Sequence, residues 1–225
     1  MELSIIILVY NQGDITKNAI ESILRCGLEN YELVIVDNCS EKETENMLQD
    51  LAHTHKEIVL LRNEVNKGFI LGNNEAIKIS KGEFICIANN DIIVKSKSCF
   101  LIPIQELRKD SMLAQVGAQG GYFTAKGSYI LLDKYNYVAG WFFVIPRSIY
   151  EKFGLFDEKN LEFAYGEDVE FSFRLLTNGY KIKVMNLPIE HLRSKSFENS
   201  GTQIMCTWIK NEQKVREMYK EFLSH

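Results

Sequence analysis

The apolar positions of the first ninety residues fall into short continuous runs separated by stretches with helical spacing. Residues 4–9, a serine followed by five aliphatic residues, have the pattern of a strand covered on both faces. After it, Asp14 predicts a helix N-cap, Ile15, Ala19 and Ile23 recur four positions apart with Leu24 beside the last, and Gly27 predicts the stop. Residues 31–36 repeat the strand signal, Ser40 opens a second helix through Leu51, residues 57–61 read as a third strand, 71–79 as a third helix and 83–88 as a fourth strand. The second half is less regular. Residues 137–145 predict a strand interrupted at Gly140, and Pro146 starts a short helix through Phe153. Residues 167–178 predict a helix ended by Gly179, 180–184 a strand, and 204–222 a last amphipathic helix. Strands alternating with helices in this way imply right-handed βαβ units, hence an α/β fold with a mostly parallel, doubly wound sheet. No repeat, low-complexity segment or linker divides residues 1–225, which predicts a single domain with one core.

In open α/β sheets, ligands lie beyond the carboxyl ends of the strands. The polar clusters fall there: Tyr10, Asn11 and Gln12 after the first strand, Asp37 and Asn38 after the second, and Asn89, Asn90 and Asp91 after the fourth. The last cluster interrupts the apolar run ICIANNDIIV. A turn explains it, because Asn and Asp tolerate left-handed backbone and bond their own main chain. So does a metal site in which one carboxylate and a ligand's phosphates hold Mg2+ or Mn2+. Asp37 reads equally as a helix cap or Asx turn and as the acceptor of an N–H from a bound base, since a carboxylate accepts and cannot donate.

Glu167 and Asp168 open a predicted helix, where the dipole stabilises negative charge. An ionised Asp168 facing a crevice is also what a general base requires, and the two readings are compatible. His191, just after a predicted strand, is either structural or a metal ligand. Trp141 follows Gly140 and either packs in the core or offers its face to a sugar ring. The aromatics of EFAYGEDVEFSF are accounted for by burial, and His53, His55 and His225 read as solvated surface.

A formal net charge of -4, with 26 scattered Lys and Arg, gives no basic stripe and argues against a nucleic-acid partner. An anionic ligand must therefore be held by a local site. Five cysteines without metal-like spacing read as free thiols in a reducing compartment. The start, MELSIIILVYNQ, has no basic leader and too short an apolar run for a signal peptide or a membrane span. These features predict a cytoplasmic protein, with contact at the inner face of the membrane left open.

Taken in order, SIIILVYNQ, ELVIVDNCS, NKGFILGNN, GEFICIANND, VAGWFFVIPR, FGLFDE, YGEDVEFSFRLLTNGY and IEHLRSKS resemble the successive blocks of family 2 glycosyltransferases with the GT-A fold, over about residues 3–196. The wording of NND and GFxxGNN is most similar to the subgroup that contains many rhamnosyltransferases. The resemblance implies a nucleotide-sugar-binding half, residues 1–94, merged with a smaller, mixed acceptor and catalytic half, residues 95–225. It places Tyr10, Asn11, Asp37, Asn66 and Gly68 at the nucleotide, with Asp37 at the base. Asn89, Asn90 and Asp91 match the DxD motif, with Asp91 on a divalent metal, Mn2+ or Mg2+, and His191 completing the metal site. Asp168 matches the catalytic base, and Glu167 and Trp141 stand on the substrate side.

The implied activity is inverting transfer from a UDP- or dTDP-sugar to a glycan, lipid-linked or protein acceptor. One departure is Asn89 where the motif has Asp, which leaves the metal site with less negative charge. That departure, and the short sequence after the last motif, keep open a non-catalytic nucleotide-sugar-binding accessory subunit, or an enzyme that needs a partner protein. A nucleotidyltransferase would carry a basic, glycine-rich phosphate loop near its start, and VYNQGDITKN has none.

Overall fold

The computed structural model describes residues 1–129, 134–193 and 201–224, apart from the side chains of 201–204. The first half runs β1 (Leu3–Val9), α1 (Gly13–Leu24), β2 (Tyr31–Asp37), α2 (Lys42–Thr54), β3 (Ile58–Arg62), α3 (Gly68–Ile79) and β4 (Phe84–Ala88). Then follow β5 (Ile92–Val94), α4 (Ser98–Lys109), β6 (Leu113–Gly117), β7 (Gly120–Phe123), β8 (Ser128–Tyr129), β9 (Tyr137–Val138) and β10 (Phe142–Pro146). The chain continues through α5 (Arg147–Phe153), α6 (Glu167–Thr177), β11 (Lys181–Val184), β12 (Ile189–His191), α7 (Gly201–Met218) and a 3-10 turn, Phe222–Ser224.

A seven-stranded sheet in the order β11-β6-β10-β4-β1-β2-β3 is the frame. All its pairings are parallel except those of β10, which runs antiparallel to both β4 and β6. Strand β10 thus joins the second half of the chain to the sheet begun by the first. The register explains where the site lies. Val9 stands opposite Asp37, Ile7 opposite Ala88, and Ala88 opposite Phe142. The outgoing ends of β1, β2 and β4 and the incoming end of β10 therefore share one rim. Two small antiparallel sheets, β12-β5 and β8-β7-β9, are built beside that rim.

Both faces of the sheet are covered, which is why its strands read as continuous apolar runs. Successive side chains of β1 alternate between faces. Leu3, Ile5, Ile7 and Val9 pack with Ile20 and Ile23 of α1 and Phe100 of α4. Ile6 faces the other way, with Ile70 and Ile77 of α3 and Phe171 and Phe173 of α6. The five cysteines are free, with Cys86 and Cys99 buried.

Several local expectations are corrected. Asp14 is not the cap of α1: Gln12, in left-handed conformation, precedes the helix, and Asp14 lies in its first turn, where its charge meets the dipole. Helix α2 begins at Lys42, because the Ser40 hydroxyl accepts the Asn11 N–H at 2.8 Å instead of opening a helix. The strand read over 137–145 breaks near Gly140 as expected, but its two pieces belong to different sheets. His55 is half-buried beside Glu57, His53 is exposed, and His225 lies outside the described residues. Among the described residues, no helix is long and apolar enough to cross a membrane.

Candidate functional site

A cleft of about 970 Å³ opens along the shared rim and is lined from both halves of the chain. On the wall built by the first half of the chain, Tyr10 is 52% exposed. Asn11 and Gln12 follow with φ of 58° and 59°, a left-handed pair outside the conformations ordinary residues favour. Asn11 is held there: its N–H donates to Ser40 Oγ, and its Oδ1 accepts the Glu41 N–H at 2.7 Å.

Beside it, buried Asn38 ties the 63–68 loop together. Its Nδ2 donates to Asn66 Oδ1 at 2.7 Å, while its Oδ1 accepts from Asn63 Nδ2 and from the Lys67 N–H, each at 3.1 Å. Asn66 Oδ1 also accepts the Gly68 N–H at 2.9 Å. Gly68 has φ +78°, and a Cβ there would stand 2.5 Å from the Phe163 carbonyl oxygen, so only glycine lets the two walls meet this closely.

Asp37 sits behind this wall and does not line the cleft. It is buried, its Oδ1 accepts the Ser40 N–H at 2.8 Å, and its Oδ2 pairs with Arg62. The parallel register places Arg62 directly opposite it.

At the centre of the rim, Asn89 and Asn90 line the cleft, and Asn90 Nδ2 donates to Thr16 Oγ1 at 2.9 Å. Asp91 is buried just beneath. The antiparallel pairing of β12 with β5 sets His191 opposite Ile92 and brings its Nε2 to 3.1 Å from Asp91 Oδ1. The His191 ring is stacked on Trp141, with centroids 4.6 Å apart and planes within 6°. Trp141 in turn donates through Nε1 to Gln119 Oε1 at 2.9 Å. It packs on the core and also borders the cleft.

The Asp91–His191 pair fits a divalent cation. The 3.1 Å separation is that of an ion pair, and two ligands at right angles about 2.1 Å from a small divalent ion are also about 3.0 Å apart; the imidazole nitrogen suits a transition ion such as Mn2+ better than Mg2+. Among the described residues, no group of three or more His, Cys, Asp or Glu converges, so an ion there would take its other oxygens from phosphate and water.

The opposite wall is the start of α6. Gly166, at φ +86°, turns the chain into the helix, and the next two residues are Glu167 and Asp168, both lining the cleft. Asp168 Oδ2 accepts the Gly140 N–H at 3.0 Å and Oδ1 the Val169 N–H at 2.8 Å. These bonds favour its ionised form, while burial, the larger effect, pushes its pKa up. Glu167 is 6% exposed, and its Oε2 has no hydrogen-bond partner among the described residues. Burial first, and the Asp168 charge second, raise its pKa to about 8. Two adjacent carboxyls in one cleft thus differ in their hydrogen bonds: burial raises the pKa of both, two N–H groups oppose the rise at Asp168, and Glu167 Oε2 has no such bond among the described residues.

Of the residues singled out from the sequence, the structure gathers Tyr10, Asn11, Asn66, Gly68, Asn89, Asn90, Trp141, Glu167 and Asp168 around the cleft. Asp91 and His191 stand together beneath its floor, and Asp37 behind the wall formed by Asn11 and the 63–68 loop. The burial account of EFAYGEDVEFSF holds for Phe171 and Phe173 but not for Phe163, which is 37% exposed and lines the cleft with Tyr165. Gln119, the 162–165 loop and Thr207 of α7 are further neighbours of the site that the sequence reading missed. A polar residue before a run of glycines marks Gln119 in the sequence; nothing local marks Thr207.

Comparison with known proteins locates this geometry. A model of the family described as glycosyl transferase family 2 matches residues 4–168. The poly(ribitol-phosphate) beta-glucosyltransferase of Bacillus spizizenii is 31% identical over 101 residues, 44% of this chain and 16% of that protein. The structure of the mannosyltransferase PcManGT from Pyrobaculum calidifontis, in complex with GDP-Man and Mn2+, superposes with a TM-score of 0.72 at 16% identity, covering 93% of this chain and 62% of that one. That of GalNAc-T7 with UDP, GalNAc and Mn2+ gives 0.78 at 18% identity, covering 99% and 50%. At such identities the likeness is one of fold, a GT-A-like mixed α/β architecture. The chain spans less than two thirds of the length of each of these three proteins.

Proposed function

The chain belongs to glycosyl transferase family 2, and from that premise we propose that it moves a sugar from a UDP- or dTDP-sugar to an acceptor hydroxyl, with inversion at the anomeric carbon. The observation that carries the reading is the meeting, at one cleft, of the Asn89–Asn90 strand end, the Asp91–His191 pair and the Asp168 carboxylate. The uridine or thymidine lies along Tyr10, Asn11, Asn66 and Gly68. Asp37, buried behind that wall, would take the N3–H of a base that reaches past the wall, on a remaining lone pair, since a carboxylate offers about four acceptor sites and two are used. Asn89 and Asn90 bond the ribose and the first phosphate. A divalent cation held by Asp91 and His191 would neutralise the leaving diphosphate.

Asp168 then acts on the acceptor. Its carboxylate takes the hydroxyl proton as the acceptor oxygen attacks the anomeric carbon from the face opposite the diphosphate, and the bond from that carbon to the phosphate oxygen breaks. Glu167, holding its own proton near neutral pH, donates to a sugar or acceptor oxygen and keeps a second negative charge away from the base. Trp141 packs against the sugar ring. The acceptor is a glycan, a lipid-linked sugar or a protein. A deoxyhexose donor of the rhamnosyl kind, work at the cytoplasmic side and help from a partner protein belong to the same proposal.

A thermal-shift screen of UDP, dTDP and CDP with and without Mn2+ tests the binding half. A ligand at a hundred times its Kd adds about 2.7 kcal/mol. UDP or dTDP should shift the melt with Mn2+ present, and CDP at least about tenfold less tightly, because cytosine presents a bare N3 to Asp37. No shift from any nucleotide would sink the reading. Nucleotide release from a panel of UDP- and dTDP-sugars tests the chemistry. Asp168→Asn should keep donor affinity within a few-fold and lose roughly a hundredfold or more in turnover; binding without release in the parent would instead mark an accessory subunit.

A further inference from the structure

The wall that ends at Glu167 and Asp168 is a loop that satisfies little of its own backbone: Ala164 N–H donates to the Glu162 carbonyl at 2.7 Å, and other carbonyls are met from outside. Between α5 and α6 the chain passes through Phe163 at φ 54°, Tyr165 at φ 71° and Gly166 at φ 86°. This path, left-handed at three of four successive residues, belongs to no helix or strand, so its carbonyls need partners beyond a regular ladder. One side chain meets three of them. Asn211, on α7 and fully buried, donates from Nδ2 to the carbonyl oxygens of Glu162 at 2.7 Å, Tyr165 at 2.9 Å and Ala164 at 3.0 Å, and accepts the Glu162 N–H on Oδ1 at 3.0 Å. Two amide hydrogens serve three carbonyls, so the contacts are shared.

The same loop bridges both walls of the cleft. The Phe163 carbonyl accepts the Ile70 N–H at 3.1 Å from the start of α3, beside Gly68. Its other end runs straight into Glu167 and Asp168. Helix α7 presents Thr207 to the cleft, Asn211 to the loop and Val215 to the core at four-residue intervals. It lies outside the family-matched residues 4–168, so the family match alone does not single out this contact. The ion pairs of Lys214 and Lys210 with Glu162 are exposed and add little.

We propose that Asn211 is a positioning residue: it fixes the 162–166 loop in its left-handed path and so sets where Asp168 stands relative to the bound donor. The structural half of this inference stands alone, and its kinetic half rests on the transfer reaction proposed above. Two variants test it. Asn211→Asp keeps the size and the acceptor for Glu162 but removes the donors and sets a carboxylate against three carbonyls. Asn211→Leu removes the polar group without adding charge, and carries the test if the Asp variant does not fold.

Amide hydrogen exchange is measured on the full chain, followed by nucleotide release from a UDP- or dTDP-sugar that the parent turns over. In both variants, exchange at residues 162–170 and at Ile70 should quicken by about tenfold or more while β1 and β4 keep their protection. Turnover should fall about tenfold to a hundredfold with donor KM within about threefold, the signature of misplacement at the reacting centre. Unchanged exchange in the loop, a uniform loss of protection that includes β1 and β4, or a loss confined to donor KM would each overturn the proposal. A parent that releases no nucleotide from any donor would count against the transfer reading, while the exchange result would still decide the role of Asn211 in the loop.

Discussion

Replacing Glu167 with Gln asks whether the carboxyl at the start of α6 carries a proton. Its folded pKa is raised from the ordinary 4.5 to about 8, by burial first and by the Asp168 charge second. For an acid raised in this way, the folded state binds the proton more tightly than the unfolded chain. The resulting stability is fully present below about 4.5 and is lost as pH rises through 8. At about 1.4 kcal/mol per unit, the whole span is roughly 5 kcal/mol, and the part lost between pH 5 and pH 8 is about 3–4 kcal/mol. For a chain of this length each kcal/mol moves Tm by about 2–4 °C, so the parent should lose about 7–14 °C over that interval through this group alone. Gln does not titrate. The difference in Tm between parent and Glu167→Gln, followed from pH 5 to pH 8, reads the Glu167 titration together with its coupling to Asp168, because the groups not coupled to it cancel. Asp168→Asn should shrink the pH dependence without abolishing it, since burial is the larger cause. Parallel Tm curves for parent and Glu167→Gln would refute a proton on Glu167.

Two further outcomes probe the donor side. Asp91→Ala should leave the core strands intact, since Asp91 lies just past the end of β4, and should abolish the part of UDP or dTDP binding that Mn2+ adds; equal Mn2+ enhancement in variant and parent by calorimetry would remove Asp91 from the metal site. Gly68→Ala forces a left-handed alanine whose Cβ meets the Phe163 carbonyl at 2.5 Å, and should cost about 1–3 kcal/mol and weaken nucleotide binding, whereas a parental melt and parental UDP affinity would show that the close approach is dispensable.

What the sequence disclosed, and what it hid, divides by the range of the interactions. Strands β1, β2 and β4 were legible because burial on both faces leaves an uninterrupted apolar run, and the polar clusters at their ends were legible because nothing in a core strand calls for Asn89, Asn90 and Asp91. The stretch between β5 and β9 was not. Helix α4 carries Pro103 in its interior, which argues against a helix, and β6 buries the polar Gln115 in a five-residue strand. The pairing of Asp37 with Arg62 depends on a parallel register that only the assembled sheet defines. Asn211 was the least visible: inside an amphipathic helix it reads as an ordinary polar position, and its partners lie 46–49 residues earlier. Phe163 looked like core because its pattern is apolar, and only the left-handed turn at that residue sends it to the cleft.

The antiparallel strand β10 also governs the order in which this chain can become a protein. When synthesis reaches Val94, β1 to β4 are present, but one edge of β4 is bare: its hydrogen-bonding groups and the side chains that later meet Phe143, Val144 and Ile145 have no neighbour. The roughly fifty residues that separate Val94 from the end of β10 take about 3–10 s to make at about 5–20 residues per second. During that interval the nascent chain displays an open, apolar strand edge of the kind that invites pairing with another copy. The first half of the chain is thus a stage of translation open to such pairing, and its completion waits on a strand encoded in the other half.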